Sequence, residues 1–482
     1  MNSRVMLMRM LVIVGIVNLD FLAGCSSGTN QPFNQPSSQP RNSSNPVPMI
    51  VGLTQNCAQA GGQAFSLSIL GSNFVSSSVV RWNGSDRPTT FDNSGRLNAQ
   101  ISASDIASPG TAAVTVFNPA PGGGSSNTLM LAVATGGVSP RSVVVEPAGN
   151  FAYVANAGCP DAFTGSVSMY RIDVSTGLLQ YIGAVKAGTA SETVATDPTG
   201  KFTYVTNEFS NDISMYTVDA TTGMLTPRGT INSGRRAVSV TLHPSGKFAY
   251  VANGCFQNSL VDSVSMYMVD TATGALTSVG TIPTGATGPS ACSINIGISL
   301  DPSGMYAYVA GDGCGLDIYQ GYISTYTIDL TTGALTSVGQ PIGAGDCSDS
   351  VSVDPFSKFA YVTNNQDDDI SIYSITATTG ALKSLGTVAT GSGPVSSAVH
   401  PSGKFAYVAN RGSNDVSAYS INANTGALTF TGTTAAGSGP SSIAIHPSGN
   451  FAYVTNSGSN SVSIYSIDAV TGALTLIGTI GT

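Results

Sequence analysis

The chain has 482 residues, of which only 9% are charged, with 56 glycines and a formal net charge of −8. A charge-poor, acidic chain lacks the basic face that nucleic-acid binding requires, so that class is excluded. Hydrophobic residues make up 41%, enough to fill packed cores, and abundant Gly, Ser, Thr, Val and Tyr point to many short strands joined by tight turns. Almost no helix is expected beyond residue 25, and the length allows two or three domains.

Residues 1–24 read as an export signal to be kept out of fold reasoning. Arg4 and Arg9 give a positive start, the apolar run Leu11–Val17 is too short to span a bilayer comfortably, and Leu22-Ala23-Gly24-Cys25 follows. This tetrapeptide resembles the bacterial lipobox. The resemblance implies acylation of Cys25 and a lipid anchor in the bacterial envelope, with Ser26 in place of Asp implying the outer membrane, periplasmic or surface-facing. An ordinary secretory signal with an incidental cysteine is the alternative. Residues 25–48 are Ser, Asn, Gln and Pro with hardly an apolar side chain. They cannot bury enough surface to offset their ordering entropy, and a flexible tether is expected.

Residues 49–135 alternate apolar and polar positions between Gly, Asn and Ser punctuation, as in "AFSLSILGSNF", "SVVRWNG" and "TAAVTVFNP". This predicts a β-sandwich of about seven strands, with Trp82, the only tryptophan, in its core. The run from Gly62 through "LGSNF" and "VVRWNG" to "VTVFNPAPGGGSSN" resembles the IPT/TIG immunoglobulin-like domain, which implies an Ig-like spacer or interaction module without a catalytic site.

Residues 136–482 are a repeat. "HPSGKFAYVAN" stands at 243–253 and again at 400–410, and related versions start at Glu146, Asp197, Asp301, Asp354 and His446. Each copy follows a short strand and precedes a third strand, a Thr-Gly turn and a fourth strand, which is the pattern of a propeller blade. Seven copies make one complete ring. Pro followed two residues later by Gly fits a tight turn between the first and second strands, the Gly at positive φ. "KFAYV" is the second strand, and Phe248 and Tyr250 are expected to project to opposite faces of it, each packing on a neighbouring blade. The aromatic set therefore reads as core rather than as a sugar-stacking platform. With Tyr-Val-Thr-Asn verbatim at 204–207, 361–364 and 453–456, the region resembles the YVTN-type, lactonase-like seven-bladed propeller family. The expected fold is thus all-β: a seven-bladed β-propeller with an N-terminal Ig-like β-sandwich.

Function is expected where the copies differ. Pro147 to Gly177 spans 30 positions but Pro198 to Gly223 only 25, and blades 1, 3 and 4 carry such insertions, with a longer one after blade 3. If these sit in the loops between the second and third strands and between blades, all the variation lies on one face. Cys159, Cys255 and Cys314 fall in the inserted loops, and Cys292 and Cys347 in the loops entering blades 4 and 5. Cys255 with Cys292, and Cys314 with Cys347, stand in the same relation one blade apart and are candidate disulfides, although fifteen connectivities are open and Cys57 and Cys159 are left over.

In lactonase-like relatives a Pro-Arg-His run often opens the innermost strand and a Glu follows the Tyr-Val-x-Asn strand. Here Pro140-Arg141-Ser142 and Asn207-Glu208 match, but the histidine is missing. Its place around the ring is taken by Ser142, Thr193, Ser239, Gly297, Ser350, Ser396 and Ser442. His243, His400 and His446 belong to the turns on the opposite face. The candidate channel-mouth residues are Arg141, Glu192, Glu208, Arg235, Arg236 and Asp349, to be weighed against plain solvated loop charges. "NNQDDD", ending at Asp369, lacks the spacing of a calcium loop, and no metal or cofactor is expected. The favoured expectation is a monomeric, membrane-anchored, non-enzymatic propeller presenting a disulfide-braced loop face to an envelope protein or glycan. The alternative is a hydrolase of an extracytoplasmic lactone working through Arg141, Glu208 and Arg236, and a structural part of a larger envelope assembly is a third.

Overall fold

The structure, a computed structural model, describes residues 44–54, 57–61, 63–108, 110–134, 138–158, 164–254, 262–285, 296–312 and 320–482. The signal, Cys25 and most of the tether lie outside these residues, as do Cys159, Cys255, Cys292, Cys314 and the inserted loops around them. All regular secondary structure among the described residues is β.

The first domain is a two-sheet sandwich. One sheet orders strands Met49–Leu53, Phe65–Ser72, Arg96–Ile101 and Thr89–Asn93. The other orders Cys57–Gln59, Leu129–Ala134, Gly110–Asn118, Val79–Trp82 and Ser85–Arg87, with Gly124–Ser125 paired to Gly110–Asn118. Alternate residues of both sheets meet in one core, Leu67, Ile69, Leu97 and Ile101 from the first and Val80, Trp82, Val114 and Val116 from the second. The tether ends earlier than expected. Asn45 donates from its side chain to the Pro119 carbonyl (2.7 Å), and Asn118 donates to the Pro46 carbonyl (2.8 Å). Backbone groups that find such partners are no longer free chain.

Seven four-stranded antiparallel sheets follow, each built from one contiguous stretch. Their innermost strands are Pro140–Val145, Ser191–Thr196, Ala237–Leu242, Ile296–Leu300, Ser348–Val353, Pro394–Val399 and Pro440–Ile445. In blade 4 the outer strand is split into Leu335–Ser337 and Ile342–Asp346, both paired with Gln320–Ile328.

The repeated phrase builds the contacts between blades. Its turn Gly takes φ of +69° at Gly246 and +67° at Gly403, as its position demands. The expected opposite placement of Phe248 and Tyr250 is corrected: residues two apart in a strand share a face. Phe248, Tyr250 and Ala252 all pack toward blade 4, against Ala307, Val309 and Tyr326. The intervening Ala249 and Val251 pack toward blade 2, against Phe202 and Tyr204. Every interface is therefore an aromatic face laid on a small-residue face.

The Thr-Gly turn receives that aromatic face. Each turn Gly is at positive φ, and a Cβ on Gly333 would lie 2.4 Å from Phe248 Cδ1. In all seven blades the second-strand tyrosine donates its hydroxyl to the Gly carbonyl of the next blade, at 2.8–3.1 Å. In all seven the third-strand tyrosine donates to the outer strand of the preceding blade, at 2.7–3.3 Å. Each such bond contributes about 1 kcal/mol net.

The seam between blades 7 and 1 uses the same parts. Tyr453 donates to the Gly177 carbonyl (3.0 Å) and Tyr170 to the Gly481 carbonyl (3.0 Å), closing both rings. Strand Leu129–Ala134 pairs within the sandwich, so no strand is lent to blade 7. The histidines join in: His446 Nε2 donates to the Gly149 carbonyl (2.9 Å), while its Nδ1 accepts from the Ser448 N–H (3.1 Å), which fixes the tautomer. His243 and His400 make the equivalent bridges to Gly304 and Gly449. These rings are buried scaffold.

Candidate functional site at the channel mouth

In the six blades other than blade 4, where Gly311 takes the place of the phrase's Asn, two loops meet at the start of the innermost strand. The residue after the buried Asn of the phrase bonds through its N–H to the residue just before that strand, as in Glu208 to the Ala190 carbonyl (2.8 Å) and Arg411 to the Gly393 carbonyl (2.8 Å). The accepting residue is left-handed, with φ of +55° at Ala190 and +63° at Gly393. The Asn itself is the keystone beneath. Asn207 accepts from the Gly188 N–H (3.0 Å) and the Ser191 hydroxyl (2.8 Å) and donates to Asp212 (2.7 Å) and Ser214 (2.9 Å). This fixed frame leaves two positions per blade free to vary beside the channel: the second residue of the innermost strand and the residue following the Asn.

The channel encloses about 240 Å³ and is lined by all seven residues of the hydroxyl ring, from Ser142 to Ser442. Six of the seven carry a hydroxyl, Gly297 being the exception, and four of these hydroxyls stitch neighbouring blades. Ser142, Ser239 and Ser396 accept from the N–H of Val194, Ile298 and Ile443 at 3.3–3.5 Å, and Thr193 donates to the Val238 carbonyl (2.8 Å). They are structural, and the chemistry falls to the charged groups above them.

Of the six predicted residues, Arg141, Glu192 and Asp349 line the channel. Arg141 Nε lies 3.6 Å from Glu192 Oε1, beyond a good hydrogen bond, and this buried Nε donates to no acceptor among the described residues. Glu208 and Arg236 sit directly behind and form an ion pair with both side chains about nine-tenths buried. The Glu192 and Glu208 carboxyls are within hydrogen-bonding reach of each other. Burial pushes the Glu192 carboxyl up to about 7, with the Arg141 guanidinium pulling it down and the neighbouring Glu208 pushing it further up. The result is a half-buried acid poised to gain or lose a proton near neutrality, beside an unsatisfied guanidinium donor. Asp349 accepts from the Asn365 amide (3.2 Å).

Arg235 does not join this group: it is exposed and lies outside the channel lining. A residue absent from the predicted set does line the channel, Arg411 on blade 6. It occupies the position after the phrase's Asn, as Glu208 does in blade 2, and comparing that column across the seven copies would have exposed it.

The "NNQDDD" carboxylates are occupied by the protein. Asp367 accepts from the Asp346 N–H, Asp368 from the Gly393 N–H and Asp369 from the Asn364 amide. No group of three potential metal ligands converges among the described residues. Cys57 and Cys347 are both disulfide-bonded.

The sequence model of the family described as "Lactonase, 7-bladed beta-propeller" matches residues 127–242, 232–399 and 359–480. Among solved structures, the periplasmic gluconolactonase PpgL of Pseudomonas aeruginosa is 18% identical, with a TM-score of 0.56 over 66% of this chain and 92% of its own. A "putative 6-phosphogluconolactonase" of Bacteroides fragilis is 21% identical, with a TM-score of 0.57 over 66% and 91%. Hydrazine synthase of Kuenenia stuttgartiensis is 20% identical, with a TM-score of 0.53 over 69% and 96%. At such identities the likeness is one of fold, and the third case shows how much the chemistry on it varies. No curated protein matches the sequence significantly.

Proposed function

The chain belongs to the seven-bladed β-propeller lactonase family, and from that premise we propose that it hydrolyses a lactone at the channel mouth, with Glu192 as the general base. The observation that carries this reading is Arg141 beside the Glu192 carboxyl, itself in reach of Glu208: a donor and a proton acceptor side by side in a polar channel. In its carboxylate form Glu192 takes a proton from a water molecule as the water oxygen attacks the lactone carbonyl carbon. The developing oxyanion takes a hydrogen bond from Arg141. Collapse breaks the ring C–O bond, and Glu192 returns the proton to the departing alkoxide, giving the open hydroxy acid. Glu208, clamped by Arg236, is a positioning residue that keeps the Glu192 proton within the pair.

This favours the hydrolase over the binding module expected first, whose disulfide-braced loops lie outside the described residues. The reading includes an exported protein anchored through Cys25, with the sandwich as an IPT/TIG-like spacer. It also includes pairing of Cys347 with Cys314 and of Cys255 with Cys292. Turnover of a panel of sugar-acid lactones by the purified protein tests the activity. Glu208→Gln is expected to reduce it about tenfold or more and to shift its pH profile, a change that a merely structural role would not produce. Absence of turnover across the panel would refute the hydrolase reading, and membrane retention of Cys25→Ser would refute the anchor.

A further inference from the structure

Two spaces meet at Arg411. One is the channel, and the other is an open cleft between blades 5 and 6 bordered by Asn365, Gln366, Asp368, Ser392 and Gly412. Arg411 is anchored through its backbone, by its N–H to the Gly393 carbonyl, and its side chain is exposed. It differs from the other arginines of the site. Arg141 faces Glu192 and Arg236 faces Glu208, whereas Arg411 forms no ion pair among the described residues. Two acids that line the same spaces are engaged elsewhere, Asp368 with the Gly393 N–H (2.7 Å) and Asp349 with the Asn365 amide (3.2 Å).

Position adds to this. Arg141, Glu192, Glu208 and Arg236 belong to blades 1 to 3, while Arg411 is on blade 6, across the ring. A ligand whose reacting carbonyl sits at Arg141 and Glu192 and that reaches across the channel would meet Arg411 with its far end. A guanidinium without a protein partner at that point selects an anion, and its planar pair of donors matches a carboxylate. No lysine lines either space to supply the further positive charge that a phosphate dianion calls for.

We infer that Arg411 binds a carboxylate at the end of the substrate remote from the reacting carbonyl, so that the preferred substrate is a carboxylate-bearing lactone. This rests on the lactone-hydrolase reading for the other half of the site.

The test compares glucarolactone, which carries a carboxylate, with neutral gluconolactone and 6-phosphogluconolactone on the full chain and its Arg411→Gln and Arg411→Lys variants. The parent is expected to favour glucarolactone. Arg411→Gln should raise KM for it about 10- to 100-fold, with kcat and gluconolactone turnover little changed, and Arg411→Lys should recover part of the loss. An equal loss on glucarolactone and gluconolactone, or an Arg411-dependent preference for the phosphorylated lactone, would overturn the inference. Calorimetric titration with glucarate separates the two readings. Binding weakened by Arg411→Gln in a protein that turns over no lactone would uphold the carboxylate subsite and reject the hydrolase. Glucarate binding unaffected by the substitution would reject the subsite whatever the turnover.

Discussion

Glu192→Gln is expected to lower kcat for lactone hydrolysis about 10²- to 10⁴-fold, the usual contribution of a positioned general base, while the propeller stays folded. The amide keeps the shape of the side chain and cannot accept the proton of the attacking water. In the parent, kcat/KM should rise with pH through about 7, because only the carboxylate form acts as the base. Stability should move the other way. The carboxyl's ordinary value is 4.5 and its folded value about 7, so between these the folded state binds more protons than the unfolded chain. Raising the pH across that window destabilises the parent relative to Glu192→Gln, which has no proton to lose. Thermal unfolding at pH 5 and pH 8, paired with steady-state rates, checks both halves. A Glu192→Gln protein retaining most of its turnover would remove Glu192 from the chemistry, and a stability difference independent of pH would remove the buried-acid argument.

The second large effect concerns the ring. Gly177→Ala is expected to destabilise the propeller by about 2–5 kcal/mol, combining the cost of a left-handed non-glycine residue with that of overpacking. At Gly177 φ is +75°, and an added Cβ would lie 2.3 Å from Phe451 Cδ1, which belongs to the blade on the other side of the seam. The same substitution at Gly426, packed on Phe359 at 2.3 Å, is the comparison within the ring. Because the seam has no shared strand, side-chain packing and hydrogen bonds of the kind found at the other junctions close the ring, and equal costs are expected at the two sites. Tyr453→Phe, which keeps the ring packing and removes only the bond to the Gly177 carbonyl, should cost about 1 kcal/mol. Denaturant unfolding of the three variants measures the set. A seam variant far milder than Gly426→Ala would mean that the ring tolerates opening.

The blades were legible because local devices recur: the Thr-Gly turn stands in all seven copies, the Pro-x-Gly turn in six, with Ser357 in the Gly place of blade 5, and Phe-Ala-Tyr-Val in five, with Phe-Thr-Tyr-Val and Tyr-Ala-Tyr-Val in the other two. The facing of Phe248 and Tyr250 was misread although the alternation rule was available, and the small residues between them, Ala249 and Val251, mark the other face. The candidate site was half legible. Arg141, Glu192, Glu208, Arg236 and Asp349 stood out as charges near the innermost strands of a charge-poor chain. What no single copy shows is which charges meet. Arg141 and Glu192 lie on successive blades and are joined only by the radial packing. Arg235 and Arg236 are neighbours in sequence, yet the left-handed backbone at Arg236, with φ of +51°, turns the chain there, and only Arg236 reaches Glu208. Arg411 escaped notice because an isolated arginine in a loop looks solvated until the ring sets it opposite the carboxyl pair.

Contiguous blades also bear on how such a ring can change its length. Since each blade is one uninterrupted segment and every junction is the same aromatic face on the same turn, crossing-over between the two identical stretches at 243–253 and 400–410 would splice one blade's turn onto another's second strand without disturbing either. The product would differ in the number of blades while each junction kept its fit. A ring closed by an exchanged strand has one junction that cannot be replaced in this way. Here none is privileged, so a ring of another length could keep the fit of every junction, and the charges at its mouth are the part that such a change would scramble.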